Sequence, residues 1–231
     1  MTDYSHIKAL VFDLDGTSVQ YVTSKFKSSW DAIGGILPEP QKTTWREHLD
    51  YYYPRPQDII EWTKADSALL KGFPVQKAKD ALYPDGKLPY TAGFEDFISG
   101  LNGDYIHGIL SASFTLVSDK IMQDFPGKFS FAVVNELGIS GDVFDGTVKA
   151  VDMWDKVGSL EKELIPYGLD FSEIAYFGDS KSDIPVLEKV GLSIVVNSGT
   201  HESEMMREYA DYFINDFREV NNILNSHQKS Y

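Results

Sequence analysis

The sequence predicts an α/β protein: a mostly parallel sheet covered by helices, interrupted by a small helical insertion. Three observations carry that expectation. Short apolar runs alternate with longer segments whose apolar residues recur at three- and four-residue spacing, the pattern of strands feeding helices. Residues 18–88 break this rhythm, with no strand-like run and with punctuation at Pro38, Pro40, Pro54, Pro56, Gly72, Pro74 and Pro84. Charge divides the chain at the same place: residues 18–88 hold 10 Lys/Arg and 9 Asp/Glu, whereas the remainder carries a net −15.

Taken in order, residues 7–12 form the first strand, an apolar run too short for a helix. Residues 18–88 read as four helices; Pro56 suits a first helical position, and Gly72 after Lys71 suits a C-terminal stop. Helices then follow at 94–101, 115–125, 156–165 and 184–190, with strands at 106–110, 131–134, 174–177, 193–196 and 212–214. The segment 143–148 places Asp145-Gly146 between apolar residues and predicts a tight hairpin turn there. No repeat and no low-complexity tract is present. A length of 231 residues suits one large domain, or a core with an insertion, and 42% hydrophobic content excludes disorder, collagen and coiled coil.

Composition removes several function classes. With 21 Lys/Arg against 35 Asp/Glu the chain has no basic arm, so neither nucleic acid nor an anionic membrane surface is an expected partner. There are no cysteines, which excludes disulfides, thiol catalysis and cysteine-ligated metals. His6, His48, His107, His201 and His227 stand singly, without the pairing of a zinc site. The apolar run near the N-terminus is interrupted by Lys8 and is too short for a signal peptide or a membrane span, so a cytoplasmic location is expected.

The chemistry concentrates at strand ends. Phe12-Asp13-Leu14-Asp15-Gly16-Thr17 puts two carboxylates where open parallel sheets bind ligands, and a spacing of two directs both to one side if the strand continues. A polar turn is the simpler reading of an Asp-Gly pair. A calcium loop is excluded, because the glycine falls at the fourth position and Ser24 at the twelfth. Ser111 follows a second strand, Gly178-Asp179-Ser180-Lys181-Ser182-Asp183 follows a third, and Lys156 opens a helix between them. Singly these are a strand cap, helix-start acids and a solvated charge; their order and location set them apart.

In that order the motifs resemble the haloacid-dehalogenase-like phosphohydrolases. Within them the chain is most similar to the phosphoserine-phosphatase branch, which places a helical cap between its first and second motifs. Residues 131–137 and 141–148 are similar to that branch's strand and hairpin. The resemblance implies a Rossmann-like, three-layer core of residues 1–17 and 89–231 and a cap of residues 18–88. It implies a Mg²⁺-dependent phosphatase that hydrolyses a small-molecule phosphomonoester through an aspartyl-phosphate. Asp13 is then the nucleophile, a carboxylate already ionised at neutral pH. Asp15 is the general acid and base, Ser111, Lys156 and Thr17 bind the phosphoryl group, and Asp183 orients Lys156 or a metal-bound water. Asp13, the Asp15 backbone carbonyl and Asp179 are the implied metal ligands; an all-oxygen set suits Mg²⁺. Transfer to a second hydroxyl compound, and a phospho-accepting switch, are the alternatives; Asp15 and the cap speak against the switch.

Four positions depart from the branch: Val22 replaces the glutamate that reads the substrate's ammonium, Ala112-Ser113 replaces Gly-Gly, and Ser182 replaces an asparagine. The catalytic motifs are kept but the element that reads the amino acid is not, so the resemblance leaves the substrate open. The implied cap lies over the strand ends and selects the leaving group. Arg46 and Arg55 are its candidates for binding a substrate carboxylate or second phosphate, through guanidinium geometry. Trp30, Trp45 and Trp62 form either the core of this insertion or an aromatic cage for a cationic headgroup such as choline.

Overall fold

The computed structural model describes residues 3–224 apart from 22–26, 102 and 104. Val22, Ser24 and His227 lie outside the described residues. The first apolar run forms β1 (Ala9–Phe12), buried along its whole length. Leu10 and Phe12 enter one core cluster, while Ala9 and Val11 enter another on the opposite face. Burial on both faces is why the run is continuous rather than alternating.

β1 pairs in parallel with β2 (Ile106–Phe114) on one side and with β5 (Ile174–Gly178) on the other. With β3 (Phe131–Ser140), β4 (Val143–Lys149), β6 (Leu192–Val196) and β7 (Tyr212–Ile214), one seven-stranded sheet forms in the order β4-β3-β2-β1-β5-β6-β7. Among the strands of the described residues only the β3–β4 pair is antiparallel. The chain runs outward from β1 to β3, returns to β5 beside β1, and runs outward again to β7. That reversal opens a crevice at the carboxyl ends of β1 and β5.

Among its described residues the insertion holds four α-helices: α1 (Ser29–Gly34), α2 (Gln41–Tyr52), α3 (Ile59–Leu69) and α4 (Val75–Leu82). Ser28 caps α1 by accepting from the Asp31 amide, and Pro56 opens a 3₁₀ turn ahead of α3. Gly72 follows α3 at φ 79°, donating its amide to the Phe144 carbonyl at 2.8 Å and so tying the insertion to β4. In the core, α5 (Phe94–Gly100), α6 (Thr115–Asp124) and α10 (Arg218–Leu224) cover one sheet face through Phe94, Phe97, Ile121 and Val220. The other face is covered by α7 (Lys156–Leu164) and α8 (Ile184–Leu187), through Leu160, Leu164, Val186 and Leu187. A short α9 (His201–Met205) precedes β7. The result is the mostly parallel, helix-covered sheet that the pattern predicts, in the three-layer, Rossmann-like form that the resemblance implies. Among the described residues no helix is long and apolar enough to cross a membrane.

Two local expectations are corrected. β2 does not stop before Ser111 but continues to Phe114, with a register shift against β3 after Leu110. Phe114 pairs with Asn135 of β3, and its burial holds the end of the strand in the core. Asp145-Gly146 is not the hairpin turn: it lies inside β4, and the turn is Gly141-Asp142, between the paired Ser140 and Val143. Asp145 closes a local loop instead, accepting from the Thr147 amide and hydroxyl at 2.7 Å each. Pairing of Phe144 with Gly72 and Phe73 overrides the local turn signal.

Candidate active site

Asp13 directly follows β1, and its amide still donates to Phe177 of β5 at 2.9 Å. The chain then turns sharply, with Gly16 at φ 82°; a Cβ there would meet Asp179 Oδ2 at 2.1 Å. Glycine is therefore required twice, by the backbone and by the approach of Asp179. The Ser18 hydroxyl donates to the Asp13 carbonyl at 2.7 Å and locks the turn. Both Asp13 and Asp15 border one cavity, although Asp15 sits in the turn rather than on a continued strand.

Opposite them, Asp155 caps α7 and places Lys156 first in the helix, turned inward and only 2% exposed. Its Nζ lies 3.1 Å from Asp13 Oδ1 and 2.5 Å from Asp183 Oδ1. The Tyr176 hydroxyl donates to the same Asp183 oxygen at 2.6 Å. Asp183 Oδ2 accepts from the Asp179 amide at 3.1 Å and from the Ser180 amide at 3.0 Å. Gly178 makes room for this carboxylate, since a Cβ there would meet Asp183 Cγ at 2.5 Å. Asp183 thus fixes both the ammonium and the loop that carries Asp179.

Burial dominates the titration of the cluster. It pushes Asp13 up to about 6 against the opposing pull of Lys156, and Asp15 up to about 7 against the Ser29 hydroxyl. Asp179 is raised well above the carboxylate range, by burial and then by the charges of Asp13 and Asp183. Burial would also raise Asp183, yet Lys156 and the converging donors outweigh it and hold that carboxyl low. For Lys156 burial works against the charge, and the Asp13 and Asp183 carboxylates overcome it, raising its pKa.

Oxygens of Asp13, Asp179 and Asp183 lie within 4.8 Å of one another, a spacing that could hold a metal ion. Because both Asp183 oxygens are committed to Lys156, Tyr176 and the 179–180 loop, Asp13 and Asp179 are the members left to bind one. Hard oxygen donors, crowded together and raised in pKa chiefly by burial, fit a small divalent cation such as Mg²⁺. The Thr17 hydroxyl lies 3.4 Å from Asp179 Oδ1. Ser111 is buried, supports the Asp13 carboxylate and accepts from the Ser113 amide at 3.1 Å.

These groups floor a cavity of about 860 Å³ whose other wall is the helical insertion. Trp30, Trp45 and Trp62 all border it. Arg46 and Arg55, expected to read the substrate, do not: Arg46 is exposed on α2, and the Arg55 guanidinium lies over the Tyr51 ring, 4.2 Å from its centre. Three participants went unrecognised in the sequence. Tyr176 read as one more apolar strand residue. Ser29 and Ser113, which lie 2.8 Å apart at their hydroxyls, carry no motif; Ser29 donates to Asp15 Oδ2 at 2.6 Å.

The sequence model of the haloacid dehalogenase-like hydrolases matches residues 10–188. A phosphoserine phosphatase of Lactococcus lactis subsp. lactis (strain IL1403) is 26% identical over 188 residues, covering 80% of this chain and 81% of that protein. Among solved structures, a phospho-aspartyl intermediate analogue of phosphoserine phosphatase superposes with a TM-score of 0.71 at 22% identity, over 94% of this chain and 99% of that one. A HAD family hydrolase of Salmonella enterica subsp. enterica serovar Typhi reaches a TM-score of 0.77 at 16% identity, over 96% of this chain and 73% of that one.

Proposed function

Because the chain belongs to the haloacid dehalogenase-like hydrolases, we propose that it is a Mg²⁺-dependent phosphatase acting on a small-molecule phosphomonoester through an aspartyl-phosphate. One observation carries this reading. Asp13 Oδ1, 3.1 Å from the Lys156 ammonium, shares a cavity with a second carboxyl, Asp15, whose pKa burial raises.

The roles follow from that geometry. An Asp13 oxygen attacks phosphorus and the bond from phosphorus to the alcohol oxygen breaks. Asp15, protonated, gives its proton to that departing oxygen. It then takes a proton from water, whose oxygen attacks phosphorus while the bond to Asp13 breaks, releasing inorganic phosphate. A pKa near 7 suits a group that must be acid in one step and base in the next. Lys156 and Ser111 face the phosphoryl oxygens, where charge is highest, and Thr17 lies alongside. Asp13, the Asp15 backbone carbonyl and Asp179 would hold the cation. When bound, it neutralises the charge that otherwise keeps a phosphate dianion away from these carboxylates. Asp183 holds Lys156 in line with Asp13.

The reading rests on a covalent step and is tested there. Quenching turnover of a ³²P-labelled phosphomonoester in acid should leave label on the protein, lost on hydroxylamine treatment as an acyl phosphate requires. Asp13→Asn should carry none. Turnover with no labelled protein at any quench time would refute it.

A further inference from the structure

We propose that the insertion side of the cavity holds a leaving group that is a bulky organic cation, an alcohol bearing an alkylated ammonium; this rests on the phosphatase reading above. Size is the first argument. At about 860 Å³ the cavity lies in the upper range of sites that bury whole organic ligands, with room for a trimethylated ammonium alcohol beside the phosphoryl group.

The second argument is the wall. Trp30, Trp45 and Trp62 border the cavity, with Tyr53 at its rim. Neighbours hold these rings in place. The Trp30 indole donates to the Ala112 carbonyl at 2.9 Å, so its position is fixed to β2 of the core. Trp45 lies 6.0 Å from Trp30 at an interplanar angle of 35°, and Trp62 stacks on Tyr52 at 6.0 Å and 10°. Rings already held lose little freedom on binding. A cation over such faces is attracted by their quadrupoles, most strongly for tryptophan and where water is displaced.

Charge supplies the third argument, and it separates a cation from other occupants of an aromatic pocket. On the insertion side, among the described residues, one cation borders the cavity, the exposed Lys27, against Asp31, Asp50 and Asp66. Glu202 adds a carboxylate from the core. Asp66 is paired with His48, at 2.7 Å, while the exposed Asp50 is not bound in any ion pair of the described residues. No arginine borders the cavity among these residues, so a substrate carboxylate or second phosphate meets repulsion. A neutral ring gains the stacking but nothing from the carboxylates. A cation gains both.

The test separates shape from charge. Phosphocholine and 3,3-dimethylbutyl phosphate have the same outline, the first cationic and the second neutral, and p-nitrophenyl phosphate reports phosphatase activity as such. With Mg²⁺, kcat/KM for phosphocholine should exceed that for its neutral isostere by about tenfold or more, the scale of a desolvated cation–π contact. Asp50→Asn and Trp62→Leu should each pull that ratio toward one. Asp50 is exposed, so its variant folds even if the tryptophan variant does not. Equal rates on the two isosteres, or faster hydrolysis of a nucleoside monophosphate than of phosphocholine, would overturn the proposal. If p-nitrophenyl phosphate is still cleaved in that event, the phosphatase reading survives alone. Titration with choline gives a readout without turnover: it should quench tryptophan fluorescence, and 3,3-dimethylbutanol should not. Failure of choline to quench would count against the site whatever the catalytic result.

Discussion

The Ser29 hydroxyl lies 2.6 Å from Asp15 Oδ2, a bond from the first helix of the insertion to a carboxyl of the core. Asp15 Oδ1 has no hydrogen-bond partner among the described residues. The bond favours the ionised form and restrains a pKa that burial has already pushed to about 7. Removing the hydroxyl should therefore raise it further. A hydrogen bond to a charged group contributes about 1.5–3 kcal/mol, or roughly one to two pKa units. In Ser29→Ala the limb of the pH–rate profile set by Asp15 should move to higher pH by about one unit. A slower variant with an unmoved profile would assign Ser29 to packing alone.

Asp183 is the most heavily bonded carboxylate at the site and is 0% exposed. Replacing it by asparagine removes the negative charge beside the buried Lys156 ammonium and keeps only one acceptor oxygen, so either Lys156 and Tyr176 or the 179–180 amides then face an NH2 donor. Breaking a buried ion pair from one side costs about 3–5 kcal/mol. Asp183→Asn should lower the denaturant midpoint accordingly, beyond any effect on rate. An unchanged midpoint would mean that Asp183 does not anchor this cluster.

Much of the fold, and several of the residues that line the cavity, are legible in the sequence. The run ending at Phe12, the two carboxylates after it, and Gly178 to Asp183 each combine a strand-end position with unusual residue types. Lys156 was legible only through its order among them. What could not be read depends on neighbours distant in sequence. Asp145-Gly146 carries a local turn signal, yet its segment is drawn into β4 by pairing of Phe144 with residues 72–73. Tyr176 looks like any strand residue until Lys156 and Asp183 are placed beside its hydroxyl. Ser29 is an ordinary serine whose role arises because α1 packs over Asp15. Arginine chemistry pointed to Arg46 and Arg55, but helix α2 directs one to solvent and the other folds onto Tyr51.

Metal and pH should be linked through the raised carboxyls. Asp13, Asp15 and Asp179 have folded pKa values above the ordinary carboxylate value, so the folded state holds protons that the unfolded chain has released. Stability from these groups is present below the carboxylate range and is lost as pH rises through about 6 to 7. A cation between Asp13 and Asp179 favours the ionised forms and restores that loss. Saturating Mg²⁺ should thus raise Tm more at about pH 8 than at about pH 5. Asp179→Asn should abolish most of the difference. A Mg²⁺ shift independent of pH, or one retained in that variant, would place the ion elsewhere.

The division of labour between Asp13 and Asp15 gives the sharpest kinetic contrast. If Asp13 is the nucleophile as proposed, Asp13→Asn removes the attacking oxygen, and neither turnover nor phosphoenzyme should remain. Asp15→Asn retains the nucleophile, and its consequence depends on the alcohol being expelled. A simple alkoxide needs its proton as the bond breaks, so kcat/KM for an alkyl phosphate should fall by about a hundredfold or more. p-Nitrophenolate is stable without a proton, and kcat/KM for its ester should fall by about tenfold at most. The comparison must use kcat/KM, because that ratio reports only the steps through formation of the phosphoenzyme. The second step is common to all substrates and also needs Asp15, as base. The variant should therefore stall after it: p-nitrophenyl phosphate should release one equivalent of p-nitrophenolate in a burst, followed by a slow steady state. Equal losses of kcat/KM on both esters, with no burst, would show that Asp15 transfers no proton to the leaving group and acts through position or charge alone.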